Sequence, residues 1–155
     1  MSIPDTITAY LADREVPFEV VSHASSRTSL ESALYAHVPA SRLAKAVLVE
    51  NGESYVLAVV PATRRLDCLA LGEVLDCDVF KADESDLPLL FRDCRPGAVP
   101  PIGAPYGVRT VVDRALDDEP DIYLESGDHQ HLLHVSHAGF EKLMHAAQHA
   151  DITYG

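Results

Sequence analysis

The sequence predicts a mixed α/β fold: a single compact domain in which a mixed, largely antiparallel sheet is flanked by helices. Residues 45–50 and 54–60 are apolar runs joined through Asn51-Gly52, a dipeptide typical of a tight β-hairpin. Further short strand patterns are separated by segments with helical periodicity. Because hairpins make antiparallel pairs, we do not expect a doubly wound parallel sheet. The 155 residues suit one domain spanning 1–155, with no linker or repeat to divide it.

The first third of the chain is predicted to form helix, strand and helix before the hairpin. Apolar residues at helical spacing predict a helix over 4–14, which Pro17 ends, and 18–22 alternates as a strand does. Thr28-Ser29-Leu30-Glu31 is a capping-box pattern and predicts the start of a second helix that Pro39 stops. A short helical turn around 41–43 then leads to Lys45.

The remainder is predicted as strands and helices around one irregular segment. Residues 95–107 hold four of the ten prolines and three of the eight glycines, so this segment is expected to be neither helix nor central strand. The predicted helices are 67–75, one from Asp83 or Ser85 to Phe91, and 138–149; the predicted strands are 79–82, 108–113, 121–125 and 131–136.

The net charge of −12 excludes a protein that binds nucleic acid through a broad basic face. The charge is uneven, however. Residues 23–65 carry five basic against three acidic residues, whereas residues 66–155 carry six against seventeen. We therefore expect at most a small phosphate-binding surface, near Arg42, Lys45, Arg64 and Arg65.

No feature of the sequence points to a membrane or to an oxidising compartment. The N-terminus has no signal-peptide pattern, and no apolar run approaches the ~20 residues needed to cross a bilayer. Cys68, Cys77 and Cys94 are odd in number and lack CxxC spacing, which fits free thiols. We expect a cytoplasmic protein with no membrane partner.

Lys45 is one of only three lysines and directly precedes the apolar run Ala46-Val47-Leu48-Val49. A lysine at the mouth of a buried strand has its stem in apolar surroundings and its ammonium at the rim. Such a charge is well placed to hold an anionic ligand. The alternative is a lysine that merely extends its ammonium to water at a strand end.

The loop between Gly97 and Gly103 contains Pro100 and Pro101, so it is both long and rigid. Glycines let backbone N–H groups approach a ligand closely, and such a loop suits a pocket wall that binds a carbonyl or oxyanion. The alternative is a structural connection between two strands.

Asp128, His129 and His131 lie in a predicted turn between two strands. The two histidines alternate, so in an extended chain they would point the same way, as two zinc ligands do. No third ligand is evident and there is no HExxH pattern. The chain also lacks GxSxG, Walker and GxGxxG motifs, so we expect no metal and no nucleotide cofactor.

Four segments taken in order resemble the YbaK/prolyl-tRNA-synthetase-associated editing domain superfamily. They are Leu43-Ala44-Lys45-Ala46-Val47-Leu48, residues 59–67, residues 96–103 and Tyr123-Leu124-Glu125-Ser126-Gly127-Asp128-His129. The resemblance covers nearly the whole chain. It implies a compact α/β fold and metal-independent hydrolysis of the ester that joins a wrong amino acid to the 3′ end of a tRNA.

By position, Lys45 matches the family's essential lysine and the segment from Gly97 to Gly103 its glycine/proline loop, while either His129 or His131 matches its histidine. Some alanine-removing members have Asn directly after the lysine, where this chain has Ala46. The identity of the amino acid therefore stays open. On this resemblance, Lys45, Gly103 and one of the histidines are the catalytic candidates; the substrate-binding candidates are Arg42, Arg64, Arg65, Gly97, Pro100, Pro101 and Asp128.

Three functions compete on these residues. The first is a freestanding aminoacyl-tRNA deacylase whose partner is the acceptor end of a mischarged tRNA, with a synthetase as an optional second partner. The second is a non-catalytic module of the same fold that senses aminoacyl-tRNA or an aminoacyl-like ligand. The third is a metal-dependent small-molecule hydrolase built on the histidines.

Overall fold

The computed structural model describes residues 3–95 and 97–155, which contain five α-helices and ten β-strands. The helices are α1 (Asp5–Asp13), α2 (Ser29–Ala36), α3 (Cys68–Leu75), α4 (Leu87–Leu90) and α5 (His137–Leu143). The strands are β1 (Glu19–Ser22), β2 (Leu43–Glu50), β3 (Tyr55–Pro61), β4 (Arg65–Leu66), β5 (Phe80–Lys81), β6 (Arg109–Asp113), β7 (Asp121–Glu125), β8 (His131–Ser136), β9 (Gln148–Ala150) and β10 (Thr153–Tyr154). The predicted mixed α/β class is confirmed.

The main sheet has the strand order β1-β8-β7-β2-β3-β6-β9, with β5 added to the far end of β2. The β2–β3 hairpin, β7–β8, β1–β8 and β2–β5 are antiparallel. The pairs β2–β7, β3–β6 and β6–β9 are parallel. A separate two-stranded antiparallel pair joins β10 to β4. The sheet is therefore mixed, with antiparallel pairs in the majority.

Both faces of the sheet are covered by helices. On one face, Ile7 and Leu11 of α1 and Phe140 of α5 pack in the largest core cluster. On the other face, Leu71 of α3 packs with the side chains of β3 that project from that face. A small third cluster, which includes Ala33 of α2, Leu43 of β2 and Leu132 of β8, fixes α2 over the sheet. Because side chains alternate along a strand, neighbouring residues of β2 serve opposite faces.

The capping box at the start of α2 forms nearly as predicted. The Thr28 hydroxyl accepts a hydrogen bond from the Glu31 N–H at 3.1 Å. The Glu31 carboxylate reaches back one residue further than predicted, to the Arg27 N–H at 2.9 Å. These contacts satisfy backbone donors that a helix start leaves without partners and so fix where α2 begins.

The predicted last helix over 138–149 is wrong in its second half. Helix α5 ends at Leu143, and residues 148–150 form β9, which pairs with β6. The His149 ring lies 2.8 Å from Asp117 and 3.1 Å from the Met144 carbonyl oxygen, contacts with distant residues that local periodicity does not contain. The described residues also contain three short strands that the sequence did not predict, β4, β9 and β10, each two or three residues long.

Two other segments differ from expectation in detail. The helix predicted to end at Phe91 is a 3₁₀ turn at Glu84–Asp86 followed by the single turn of α4. The proline-rich segment contains no strand in its described residues, as expected, but Ala104–Tyr106 form a short 3₁₀ helix. In the part of the chain described, no helix has the length and apolar character required to cross a membrane.

Candidate functional site

A cavity of about 210 Å³ lies between the N-terminal end of α2 and the facing ends of β2 and β7. The sheet side and adjoining loops contribute Lys45, Ala46, Gly97, Val99, Glu125 and His129. The α2 side contributes Ser26, Arg27, Thr28, Ser29 and Ser32, and the segment around α4 contributes Glu84 and Leu87. The volume is below the range of about 300–1,000 Å³ typical of pockets for drug-sized ligands, so it suits a small group.

The register of the sheet places Lys45 next to Glu125. Strands β2 and β7 run parallel with Ala44 opposite Leu124, and both of these side chains enter the largest core cluster. The next residue on each strand points to the other face of the sheet. Lys45 and Glu125 thus project from the same face of adjacent strands, and both line the cavity.

The Lys45 ammonium occupies a partly desolvated and locally positive environment. Burial lowers the pKa of Lys45, and the charges of Lys81 and Arg65 lower it further. Two of the protein's three lysines and one arginine therefore act on one region of a chain whose net charge is −12. Clustered cations of this kind favour an anionic group such as a phosphate.

Glu125 presents a carboxylate to the same cavity. Burial raises the pKa of Glu125 to about 7, against the opposing effect of the Gly127, Ser126 and His129 amides. The Ser126 N–H donates to Glu125 Oε1 at 3.2 Å. The side chain is thus held by its own backbone turn rather than by a distant element.

The turn after β7 is organised by Asp128, which is 2% exposed. One oxygen of its carboxylate accepts hydrogen bonds from the Ser126 hydroxyl and from the N–H groups of Gln130 and His131, and the other lies 2.5 Å from the His131 ring. Burial alone would raise the pKa of Asp128, but these hydrogen bonds outweigh it and lower the pKa. Asp128 does not line the cavity; it fixes the turn that delivers His129.

His129 and His131 do not point the same way. His129 has a left-handed backbone with φ of 65°, so the extended conformation assumed for this turn is wrong. The His129 ring lies against Gly97, where an added Cβ would come within 3.4 Å of its Cε1 atom. His129 therefore lines the cavity, whereas the His131 ring contacts Asp128 instead.

A family model described as the aminoacyl-tRNA editing domain matches residues 23–143, a segment that contains every residue lining this cavity. The chain belongs to the aminoacyl-tRNA editing domain family. The match covers most of the 155 residues, and it confirms the family indicated by the four sequence segments.

Curated relatives carry this domain within larger proteins. The chain is 28% identical over 97 residues to a proline--tRNA ligase of Lactobacillus helveticus, a match that covers 62% of this chain and 17% of that enzyme. A second proline--tRNA ligase, from Lactobacillus gasseri, is 29% identical over 84 residues, which is 54% of this chain and 15% of that enzyme. The matched segment is thus a small part of each of these ligases.

Solved structures of similar size share the whole fold. A protein described as a candidate trans-editing enzyme for prolyl tRNA synthetase superposes with a TM-score of 0.82 at 21% identity, over 97% of this chain and 96% of that chain. The hypothetical protein APE2540 superposes with a TM-score of 0.84 at 23% identity, over 97% and 100% of the respective chains. At this level of identity the two superpositions establish the fold alone.

Of the residues predicted for the site, this editing domain brings Lys45, Gly97 and His129 together at the cavity. Arg65 acts on Lys45 only through its charge. Arg42 is held by carboxylates, at 3.2 Å from Glu119 and 3.0 Å from Asp121. Arg64 donates to the Thr153 hydroxyl at 2.7 Å. Neither Arg42 nor Arg64 lines the cavity, because each guanidinium is turned towards a partner elsewhere.

Gly103, Pro100 and Pro101 are buried but do not line the cavity either. Gly103 packs on β6: an added Cβ would lie 2.5 Å from the Thr110 hydroxyl oxygen and 2.7 Å from the Val108 carbonyl oxygen. The expectation that the far end of the glycine/proline loop faces the substrate is therefore not supported. Its near end, at Gly97 and Val99, reaches the cavity. Pro96 lies outside the described residues.

Sequence reasoning missed Glu125 and the α2 wall. Glu125 belongs to one of the four family segments, but only the fold shows that its side chain shares a face with Lys45. The capping box located the start of α2, but nothing local indicated that this start covers the end of β2. Within residues 3–95 and 97–155, no three His, Cys, Asp or Glu side chains are grouped closely enough to hold a metal ion.

The packing of Gly103 generates a stability prediction. We expect Gly103→Ala to destabilise the fold by roughly 1–3 kcal/mol, the usual cost of overpacking, because the Val108 carbonyl oxygen is backbone and cannot move aside cheaply. Urea unfolding measures the change. Gly107→Ala is the control: nothing lies within 4 Å of its Cβ position, and its φ of 71° costs about 1 kcal/mol. A Gly103→Ala variant with normal stability and an altered amino-acid preference would show that Gly103 contacts the substrate after all.

Proposed function

We propose that this editing domain is an aminoacyl-tRNA deacylase that acts in trans and hydrolyses the ester of a mischarged tRNA without a metal ion. The observation that carries the proposal is Lys45: a partly buried ammonium at the mouth of a small cavity, in a family defined by aminoacyl-tRNA editing. Action in trans is supported by the match to a candidate trans-editing enzyme over 96% of that chain. We further propose that it works in the cytoplasm, where its tRNA substrate is charged.

The proposed chemistry needs positioning more than a protein nucleophile. Water attacks the ester carbonyl carbon, and the bond from that carbon to the ribose oxygen breaks. The ribose oxygen takes up one proton of the water, and the amino acid leaves as its carboxylate after the other proton passes to solvent. Lys45 would hold the terminal phosphate or ribose as a point charge. Gly97 and Val99 line the cavity, and their backbone N–H groups would face the carbonyl as its negative charge develops. A bound group held in this way has most of its orientational cost removed before reaction.

The cavity volume favours the aminoacyl group as the part of the substrate that enters. At about 210 Å³ it is too small for an aminoacyl group together with a nucleoside, so the terminal adenosine would remain at the rim near Lys45 and Arg27. The hydroxyl-bearing α2 wall, with Ser29 and Ser32, would face the amino-acid side chain. These features favour a small amino acid over an aromatic one.

Hydrolysis of a panel of mischarged tRNAs, with and without chelator, tests the function directly. Because the two relatives described above are proline--tRNA ligases, tRNA for proline carrying small non-cognate amino acids is the first substrate to try. We expect release of at least one amino acid, at a rate that chelator does not change. Binding without hydrolysis would favour the sensing module instead. Activity abolished by chelator and restored by zinc would favour the metal-dependent hydrolase.

Lys45→Ala is expected to abolish deacylation while the fold persists. The loss of a charge that orients phosphate or ribose should lower the single-turnover rate about a hundredfold or more. Lys45→Arg should fail as well, because a planar guanidinium does not replace a compact ammonium. The free energy of unfolding, measured by thermal melts, should change by about 0.5 kcal/mol or less.

Lys142→Ala is the matched control, since it removes the same charge from an exposed position on α5, outside the cavity. It should keep most of the activity. If Lys45→Ala melts far below the parent, the lysine is structural. If it melts normally and hydrolyses at the parental rate, Lys45 is not the catalytic residue.

Engagement of tRNA is expected to be local. The net charge of −12 repels most of the polyanion, and Arg42 and Arg64 are already occupied by internal partners. The slope of log affinity against log salt concentration should therefore correspond to about two to four phosphate contacts. Filter binding over a salt series measures it. A slope equivalent to eight or more contacts would show that the protein grips the whole tRNA.

A further inference from the structure

Glu125 is the one carboxylate at the cavity that is not well exposed to solvent; Glu84, the other carboxylate in the lining, is exposed. Charged side chains are seldom buried unless an opposite charge or several hydrogen bonds stabilise them. For Glu125, backbone amides of its own turn supply the hydrogen bonds, with the Ser126 N–H at 3.2 Å. Among the described residues, no lysine or arginine makes an ion pair with it within 4.0 Å. Glu125 is therefore a half-buried carboxylate that lacks a lysine or arginine partner.

The ester substrate proposed above carries a cation of its own. Every aminoacyl ester carries an α-ammonium group one carbon from the carbonyl that is attacked. A cavity that holds the carbonyl near Gly97 and Val99 must place this ammonium somewhere in the same small volume. Lys45 and Arg27 repel this ammonium, whereas the Glu125 carboxylate attracts it.

We propose that the Glu125 carboxylate binds the α-ammonium group of the aminoacyl ester, so that the cavity accepts amino acids with a free amine and rejects N-blocked ones. This proposal rests on the proposed deacylase function and names the part of the substrate that Glu125 recognises. The Ser126 amide donates to one oxygen of the carboxylate, and the Glu125 side chain lines the cavity in which the ligand would lie. Lys45 and Glu125 would then hold opposite ends of the reacting group, with the ester between them.

The burial of Glu125 is consistent with this role. Burial is the largest cause of the rise in its pKa to about 7, so ionisation of Glu125 is costly in this position. A bound ammonium would offset that cost and lower the pKa again. The titratable groups around Glu125 in the cavity wall and turn are Lys45, Arg27, Glu84, Asp128 and His129. Neither Lys45 nor Arg27 makes an ion pair with Glu125 among the described residues.

The test compares a hydrolysed aminoacyl-tRNA with the same tRNA after acetylation of its amine. The parent protein should hydrolyse the free-amine substrate at least tenfold faster. Glu125→Gln should lower the free-amine rate tenfold or more and leave the N-acetyl rate within about twofold, so that the preference disappears. Glu84→Gln, which removes the exposed carboxylate of the same cavity, should leave the preference intact.

A fold control accompanies the variant. The folded pKa of Glu125 lies above the 4.5 of an ordinary glutamate, so its ionised form opposes folding, and the parent loses this part of its stability as the pH rises from about 4.5 through 7. Glu125→Gln has no such loss and should melt at or above the parental temperature at pH 8.

Two results would overturn the proposal: a parent that hydrolyses both substrates equally, or a variant that slows both to the same degree. The second pattern would place Glu125 at the water or the ester instead of the amine. Calorimetry with a non-hydrolysable 3′-aminoacylamino-adenosine, free or N-acetylated, separates this proposal from deacylation. A free-amine preference that Glu125→Gln removes would sustain it even if no tRNA is deacylated. Failure of the parent to distinguish the two analogues would end it.

Discussion

A ladder of two residue pairs joins the two halves of the main sheet. Leu43 pairs with Tyr123 and Ala44 with Leu124, and through them the β1-β8-β7 half meets the β2-β3-β6-β9 half. By contrast, the β2–β3 hairpin runs for seven pairs. Beyond Ala44 the strands are no longer paired, and the cavity opens at the next residue of each. The position of the site is thus a consequence of where a parallel pairing stops.

The end of that pairing also explains the electrostatics of the cavity. Lys45 and Glu125 project to the face where α2 covers the sheet, and both lose part of their hydration there. Burial lowers the pKa of the lysine and raises that of the glutamate, so each group is driven towards its neutral form. The cavity therefore disfavours the charged forms of both of these side chains. A ligand with an anion at one end and a cation at the other complements both.

The turn from Ser126 to His131 works as a scaffold for this arrangement. Both oxygens of the Asp128 carboxylate make hydrogen bonds within the turn and with His131. Gly127 lies so close to Pro4 that an added Cβ would be 2.8 Å from the Pro4 Cγ. The left-handed backbone at His129 then directs its ring to Gly97. Rigid turns of this type position side chains without needing them to form regular structure.

The histidine-rich C-terminal third has a structural explanation of the same kind. Four of its six histidines contact separate carboxylates: His131 with Asp128, His134 with Asp121, His137 with Glu141, and His149 with Asp117. His134 also stacks on Tyr123 at 4.2 Å between ring centroids. Because these pairs lie on different strands and turns, the cluster in sequence is not a cluster in space.

The sequence by itself determined the elements whose signals are local. The Asn51-Gly52 hairpin, the Thr28 cap of α2 and the apolar runs of β2, β3, β7 and β8 follow from turn chemistry, capping and periodicity, and they were enough to predict a mixed α/β sheet. Lys45 stood out for a local reason too, as a rare lysine beside an apolar strand. The order of four family segments added the editing family, which no single motif could specify.

Only the tertiary structure decided which of these residues meet. Glu125 and Lys45 share a face of the sheet because their strands, about 80 residues apart in sequence, pair in one parallel register. Hydrophobic periodicity alone does not specify that register. That Arg42 is occupied depends on Glu119 and Asp121, which reach it through the same pairing. The strand β9 replaced a predicted helix because its partners, β6 and Asp117, are brought to it by the rest of the fold. Local interactions determine most of the helices and strands, whereas long-range packing determines which residues meet at the site.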